Sequence, residues 1–463
     1  MRQPTWITCG KSNRYIRIVQ PTKSRAGTGL ALNPACAALT LILLSGPLFA
    51  QLTLEQKQAN LASFETVWTT IRDKHWETNP GGLDWEAIHT EYRPRVEAAD
   101  STEAARAIMR AMIGRLKQTH FAIFPAAVYQ VLDADGSGDG WPGFDARVLD
   151  GHVIVTEVHQ PQLSAFFGAN PGVDASKIKP GWEILQAHGT DLAPLVAKLQ
   201  TDPSIHELHL ERAVAARLSG QVGAVRPMVF ADQNNARVSL DVKMQAPRGE
   251  FSGFGNLPPQ PVWFESKKLG NTGYIRFNIF LDLVHIMQQF GDAVQQCSHC
   301  DGIVIDLRGN PGGIGAMAMG MAGWLVKQTG ERLGVMYMRG ATLNFFINPR
   351  AEAFEGPVAV LVDGSSASTS EIFAGGLKDL GRSRIFGTRT AAAALPSVIT
   401  RLPNGDGFQY AVANYISQGG KALEGNGVVP DVEVKLTREA LLAGHDTVVD
   451  AALDWIQKQK VSQ

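Results

Sequence analysis

The chain has 463 residues, 44% of them hydrophobic and 19% charged, with a formal net charge of −1. That length can bury a sizeable core and suggests two to four domains. The composition excludes collagen-like, disordered and largely transmembrane classes, and no Lys/Arg-rich block marks a nucleic-acid surface.

The first fifty residues differ from the rest. Arg2, Lys11, Arg14, Arg17, Lys23 and Arg25 occur there without an acidic residue, and an apolar run from Ala35 to Ala50 follows. Gly46 and Pro47 interrupt that run, which is too short for a good membrane span. A basic stretch, a short apolar core and a small residue before Gln51 read as an export signal over residues 1–50. The expected mature chain is acidic, begins near Gln51, has no stable membrane span and is periplasmic or secreted. Cys297 and Cys300 then remain, in a lone Cys-Ser-His-Cys. No second ligand pair accompanies them, so a zinc site is not expected, and a local disulfide and two thiols both stay open.

Residues 52–125 read as a helical domain. Phe64, Val67, Trp68 and Ile71 fall at helical spacing, Ala104 to Leu116 repeats the pattern, and Asn79-Pro80-Gly81-Gly82 separates the helices. The polar loop beginning at Asp133 starts like a calcium loop, but its twelfth position is Phe144 rather than Glu, so no metal is expected. Residues 126–245 continue in short alternating runs such as His152 to Val158, with Ala236 to Val242 as the closing strand. Pro247 to Pro261 reads as a linker. From 246 to 463 strand-like and helix-like runs alternate, which predicts an α/β sheet domain with active residues at strand ends.

Two segments carry chemistry. Gly302-Ile-Val-Ile-Asp306-Leu-Arg308-Gly-Asn310-Pro-Gly312-Gly313 is a buried strand running into a glycine turn. Val360-Leu-Val-Asp363-Gly-Ser365-Ser-Ala-Ser368-Thr-Ser370-Glu371 is a second such strand, running into serines at the start of a helix. A helix N-terminus offers free N–H groups and partial positive charge, the means of stabilising an oxyanion. A dinucleotide fingerprint at Gly313-x-Gly315 is rejected, because its glycines stand too far beyond the strand and the following strand ends at Arg339 without an acid.

Together these segments resemble the signature blocks of the tricorn-type and C-terminal-processing serine peptidases. Gly273 to Phe277, Glu424 to Asp431 and Leu116-Lys-Gln-Thr119-His120 are similar to further blocks in the same order. Ile178-Lys-Pro-Gly-Trp182-Glu-Ile-Leu185 resembles a PDZ domain, which binds peptide ends by strand addition. The resemblance implies a ClpP/crotonase-like catalytic domain behind a helical and a PDZ-like domain. It implies peptide or unfolded-protein substrates, recognised by their C-terminal ends, and no cofactor. It assigns Ser368 as nucleophile and the N–H groups of Gly313 and Thr369 as oxyanion hole. Processing peptidases use a Ser/Lys dyad, but Ala393 stands where that lysine belongs, and Arg389 stays protonated. His120 matches the tricorn-type base, with Thr119 and Glu424 orienting it. At the reference pKa near 6.5 its acid limb would fall through about pH 6 to 7. A peptide-binding protein with lost chemistry is the rival that Ala393 keeps open.

Overall fold

The computed structural model describes residues 52–126, 139–159, 177–201 and 207–461. The signal segment and the calcium-like stretch from Asp133 to Ser137 lie outside them. Three helices, Leu54–Lys74, Trp85–Glu97 and Thr102–Gly114, open the described chain. Each begins at a side-chain cap, from Thr53, Asp84 and Ser101, which satisfies an otherwise free N–H group. Phe64, Val67, Trp68 and Ile71 form the buried stripe expected of them. The indole N–H of Trp68 donates to the Trp85 carbonyl, and that of Trp85 returns the bond to Trp68, both at 3.0 Å.

A second layer follows. Phe144–Leu149, His152–Val158, Glu183–Ala187, Val225–Ala231 and Arg237–Lys243 form an antiparallel sheet in that order. Helices Leu192–Gln200 and Glu207–Leu218 accompany it, and Phe144, Val155, Trp182, Ile184, Met228 and Phe230 fill its core. The presumed linker is instead a hairpin, Glu250–Phe254 against Leu257–Val262. Pro258, Pro259 and Pro261 are tolerated because this pair stands apart as a two-stranded ribbon with free edges.

The third layer positions the site. A six-stranded sheet runs Phe264–Leu269, Thr272–Phe277, Gly302–Asp306, Val358–Val362, Arg384–Gly387 and Val432–Glu433. Its first pair is antiparallel and the rest are parallel. Ile303 and Ile305 face one core, with helices His285–Gln296, Gly315–Ala322 and Thr369–Asp379, while Val304 faces the other, under helix Thr447–Val461. Burial on both faces explains why Gly302–Asp306 and Val358–Val362 read as unbroken apolar runs. Cys297 and Cys300 are disulfide-linked at the end of helix His285–Gln296. Among the described residues no helix is long and apolar enough to cross a membrane.

The helical layer is tied to the six-stranded one by charge as well as packing. Strand Ala122–Phe124 pairs with Gly407–Ala411, and Leu402 and Phe408 enter the helical core. Beside them Arg106 binds Asp406 through two hydrogen bonds, of 2.9 and 3.0 Å, with both side chains buried. Removing one partner of such a pair strands the other charge. Arg106→Ala should therefore lower unfolding stability by about 3 kcal/mol, read from the midpoint of urea denaturation at unchanged slope.

Candidate active site

The glycine turn and the serine segment leave neighbouring parallel strands, since Gly302–Asp306 pairs with Val358–Val362. At the end of the first strand Asp306 is fully buried and accepts from Arg308 and from the Tyr274 hydroxyl at 2.7 Å. Burial alone would push its carboxyl up, but the Arg308 and Arg276 guanidinium groups outweigh this and hold it below the usual carboxylate range. Arg308 reaches on to Asp446, at 2.9 Å. Asn310, also fully buried, then fixes the turn. Its amide donates to the Phe277 carbonyl, and its Oδ1 accepts from Gly312 N–H and Ser370 Oγ.

This turn lies directly on the serine segment. Gly312 has φ +92°, and a Cβ there would sit 2.7 Å from both Ser368 Cβ and Thr369 N, so glycine is required. Thr369 Oγ1 donates to the Gly313 carbonyl at 2.8 Å. The N–H groups of Gly313 and Thr369 meet no acceptor among the described residues. Ser368 begins helix Thr369–Asp379 with φ 54°, a left-handed conformation that costs a non-glycine residue energy. Ser366 and Ser370 bond to backbone carbonyls of the first segment, as serines flanking such a turn should.

The alanine stretch closes the other side. Ser368 N–H donates to the Ala393 carbonyl at 2.8 Å, so Ala393 does stand beside the serine. Lys378 points elsewhere, onto the Val429 carbonyl and Asp431, and Arg389 is held by the carbonyls of Gly425 and Asn426. Glu424 accepts from Ala394 N–H at 3.0 Å and from both the N–H and the hydroxyl of Thr119 at 2.9 Å. The Thr119 hydroxyl, having donated to Glu424, accepts from Nδ1–H of His120 at 2.7 Å. That places the proton of the neutral ring on Nδ1 and leaves Nε2 an acceptor. Glu371 is the residue whose importance the sequence did not reveal. It is fully buried and meets the backbone of both Ser368 and Ala393. Its only signal was the spacing Ser368-x-x-Glu371, that of a capping box. Elsewhere Asp145, Glu157 and His159 offer ligand atoms within 4.8 Å of one another, but Arg276 already pairs with both carboxylates.

Comparison with known proteins places this geometry. Residues 271–434 match peptidase family S41, and residues 57–114 match the tricorn protease C1 domain. A chloroplastic carboxyl-terminal-processing peptidase of Arabidopsis thaliana is 25% identical over 434 residues, covering 89% of this chain and 78% of the relative. A carboxyl-terminal-processing protease of Synechocystis is 28% identical over 320 residues, 65% of this chain and 66% of the relative. The solved photosystem II D1 C-terminal processing protease superposes with a TM-score of 0.52 at 21% identity, covering 85% of this chain and 97% of that one. The chain is a serine-type peptidase. It is homologous to the carboxyl-terminal-processing peptidases of family S41.

Two expectations are thereby corrected. The catalytic layer is an S41-type α/β fold with flanking domains, not a ClpP/crotonase-like core. The match covers the five parallel strands, from Thr272–Phe277 to Val432–Glu433, together with the segments inserted between them, and starts just after the antiparallel strand Phe264–Leu269. The tricorn-type Ser/His assignment is also overturned. The tricorn match ends at residue 114, ahead of His120 and of both signature segments, whereas the part bearing Ser368 matches S41, and the relatives named above are processing peptidases. A third correction is electrostatic. Burial, helped by the positive charge of Arg212, pushes the His120 pKa down to about 4. An unfolded ring takes up its proton near pH 6.5, so this group makes stability fall as pH drops from there towards 4. NMR of the ring should give a midpoint near pH 4, and a midpoint near 6.5 would contradict this burial.

Proposed function

We propose that this chain hydrolyses peptide bonds as a carboxyl-terminal-processing type of serine peptidase, through an acyl-enzyme on Ser368. The observation that carries the reading is the contact of Gly312 with Ser368 and Thr369, which leaves two free N–H groups beside one strained serine. Ser368 Oγ would attack the scissile carbonyl, and the N–H groups of Gly313 and Thr369 would hold the oxyanion. The C–N bond would then break, the amine leaving with the proton that the Ser368 hydroxyl gives up. Water would hydrolyse the ester, returning a proton to Ser368 Oγ and freeing the carboxyl product. His120, Thr119 and Glu424 are proposed as members of the site, the last two fixing the orientation of the ring. Residues 52–125, 126–245 and 246–463 are proposed as helical, PDZ-like and catalytic domains. The antiparallel sheet of the second would receive peptide ends by strand addition, with the C-terminal end of a protein chain as substrate. Residues 1–50 are proposed as an export signal, and the protein as periplasmic or secreted.

A fluorophosphonate probe tests the nucleophile. Ser368→Ala should lose labelling and, with it, on the order of 10⁶ in turnover, as removal of a catalytic serine does. Gly312→Ala should keep its fold yet lose roughly a hundredfold, because the new methyl displaces the reacting groups. Undiminished labelling in a folded Ser368→Ala protein would sink the proposal.

A further inference from the structure

Glu371 makes more bonds than a helix cap requires. As the third residue of helix Thr369–Asp379 it accepts Ser368 N–H on Oε2 at 3.0 Å, an ordinary capping bond. Three further donors come from a different segment. Ala393 N–H reaches Oε2 at 3.0 Å, Ala392 N–H reaches Oε1 at 2.9 Å, and the Thr390 hydroxyl reaches Oε1 at 2.6 Å. That segment in turn accepts Ser368 N–H on the Ala393 carbonyl. The backbone of the serine is therefore clamped between one carboxylate and the alanine stretch.

We propose that Glu371 is a positioning residue for catalysis, its ionised carboxylate holding Ser368 in its left-handed conformation against the Thr390–Ala393 segment. This rests on the reading of Ser368 as nucleophile. Every neighbour of the carboxylate is a donor, so the protonated acid must give up an acceptor position and loosen the clamp. Burial pushes the Glu371 pKa up to about 7, against the four bonds that favour the charged form. The ionisable groups on the surrounding elements are engaged elsewhere. Glu424 is held by Thr119 and Ala394, Arg389 by the carbonyls of Gly425 and Asn426, and Lys378 by Asp431. His120 stays neutral down to about pH 4. An acid limb near neutrality is thus a signature of Glu371, well separated from the titration of the His120 ring.

The experiment follows the rate of fluorophosphonate labelling, with kcat and KM on a peptide substrate, from pH 5 to 9. The wild type should lose reactivity as pH falls through about 7. Glu371→Gln should be on the order of tenfold to a hundredfold slower in labelling and kcat, with KM unchanged and the limb near 7 gone. Thr390→Val removes one donor to the carboxylate and should move the limb to higher pH, which decides the matter even where Glu371→Gln does not fold. Wild-type rates in Glu371→Gln, or an unmoved limb in Thr390→Val, would overturn the clamp alone. A wild type that Ser368→Ala matches in labelling would overturn the nucleophile and the clamp together.

Discussion

Gly312 and Ser368 come so near one another that any side chain on the glycine would lie 2.7 Å from the serine Cβ. Most of the catalytic layer can be understood as a means of holding that contact. Two parallel strands end side by side, and their loops must turn inward without the space a Cβ needs. Asn310 fixes the first loop to the Phe277 carbonyl and to Ser370, and Thr369 fixes the second to the Gly313 carbonyl. The two Asn310 bonds are buried and the Thr369 bond is partly so, which sets the loops by the sheet beneath them more than by solvent.

The charges beneath the turn serve geometry more than stability. Asp306, Arg308, Asp446 and Tyr274 form one network where the strand gives way to the loop. Taking such charges out of water offsets much of their mutual attraction, so a packed apolar cluster could stabilise the fold as well. What an apolar cluster could not supply is direction. A guanidinium bidentate to one carboxylate and bonded to a second has a single orientation, and it launches the chain towards Gly309 at a defined angle.

How much of this was legible depends on whether a feature leaves a local mark. The buried strands Gly302–Asp306 and Val358–Val362 do, because burial on both faces demands unbroken apolar runs. So do the glycine turn and the serines, whose residue types are dictated by conformation. The hairpin between Glu250 and Val262 did not, because its prolines read as a linker and only cross-strand pairing distinguishes the two. The depression of the His120 pKa was equally hidden, since it arises from burial and from Arg212, 92 positions along the chain. Branch assignment failed for a related reason. Thr119, His120 and Glu424 are readable one by one, but Ala393 in place of a lysine is a single position, whereas the match to S41 extends over residues 271–434.

That alanine stretch has a backbone role that its side chains conceal. Three successive N–H groups, of Ala392, Ala393 and Ala394, donate to two carboxylates, the first two to Glu371 and the third to Glu424. Glu371 carries the bonds on to Ser368, and Glu424 carries them on to Thr119, 305 residues earlier in the chain, and through it to His120. Alanine suits this place for two reasons. Its methyl groups pack with Leu208 and Ala367 in a small apolar cluster, which keeps water from competing for the N–H groups. Its lack of a long side chain also lets the segment lie flat against the serine, with the Ala393 carbonyl facing Ser368 N–H. Ser368, the His120 ring and the chain that leaves the helical layer are therefore joined through one stretch of backbone.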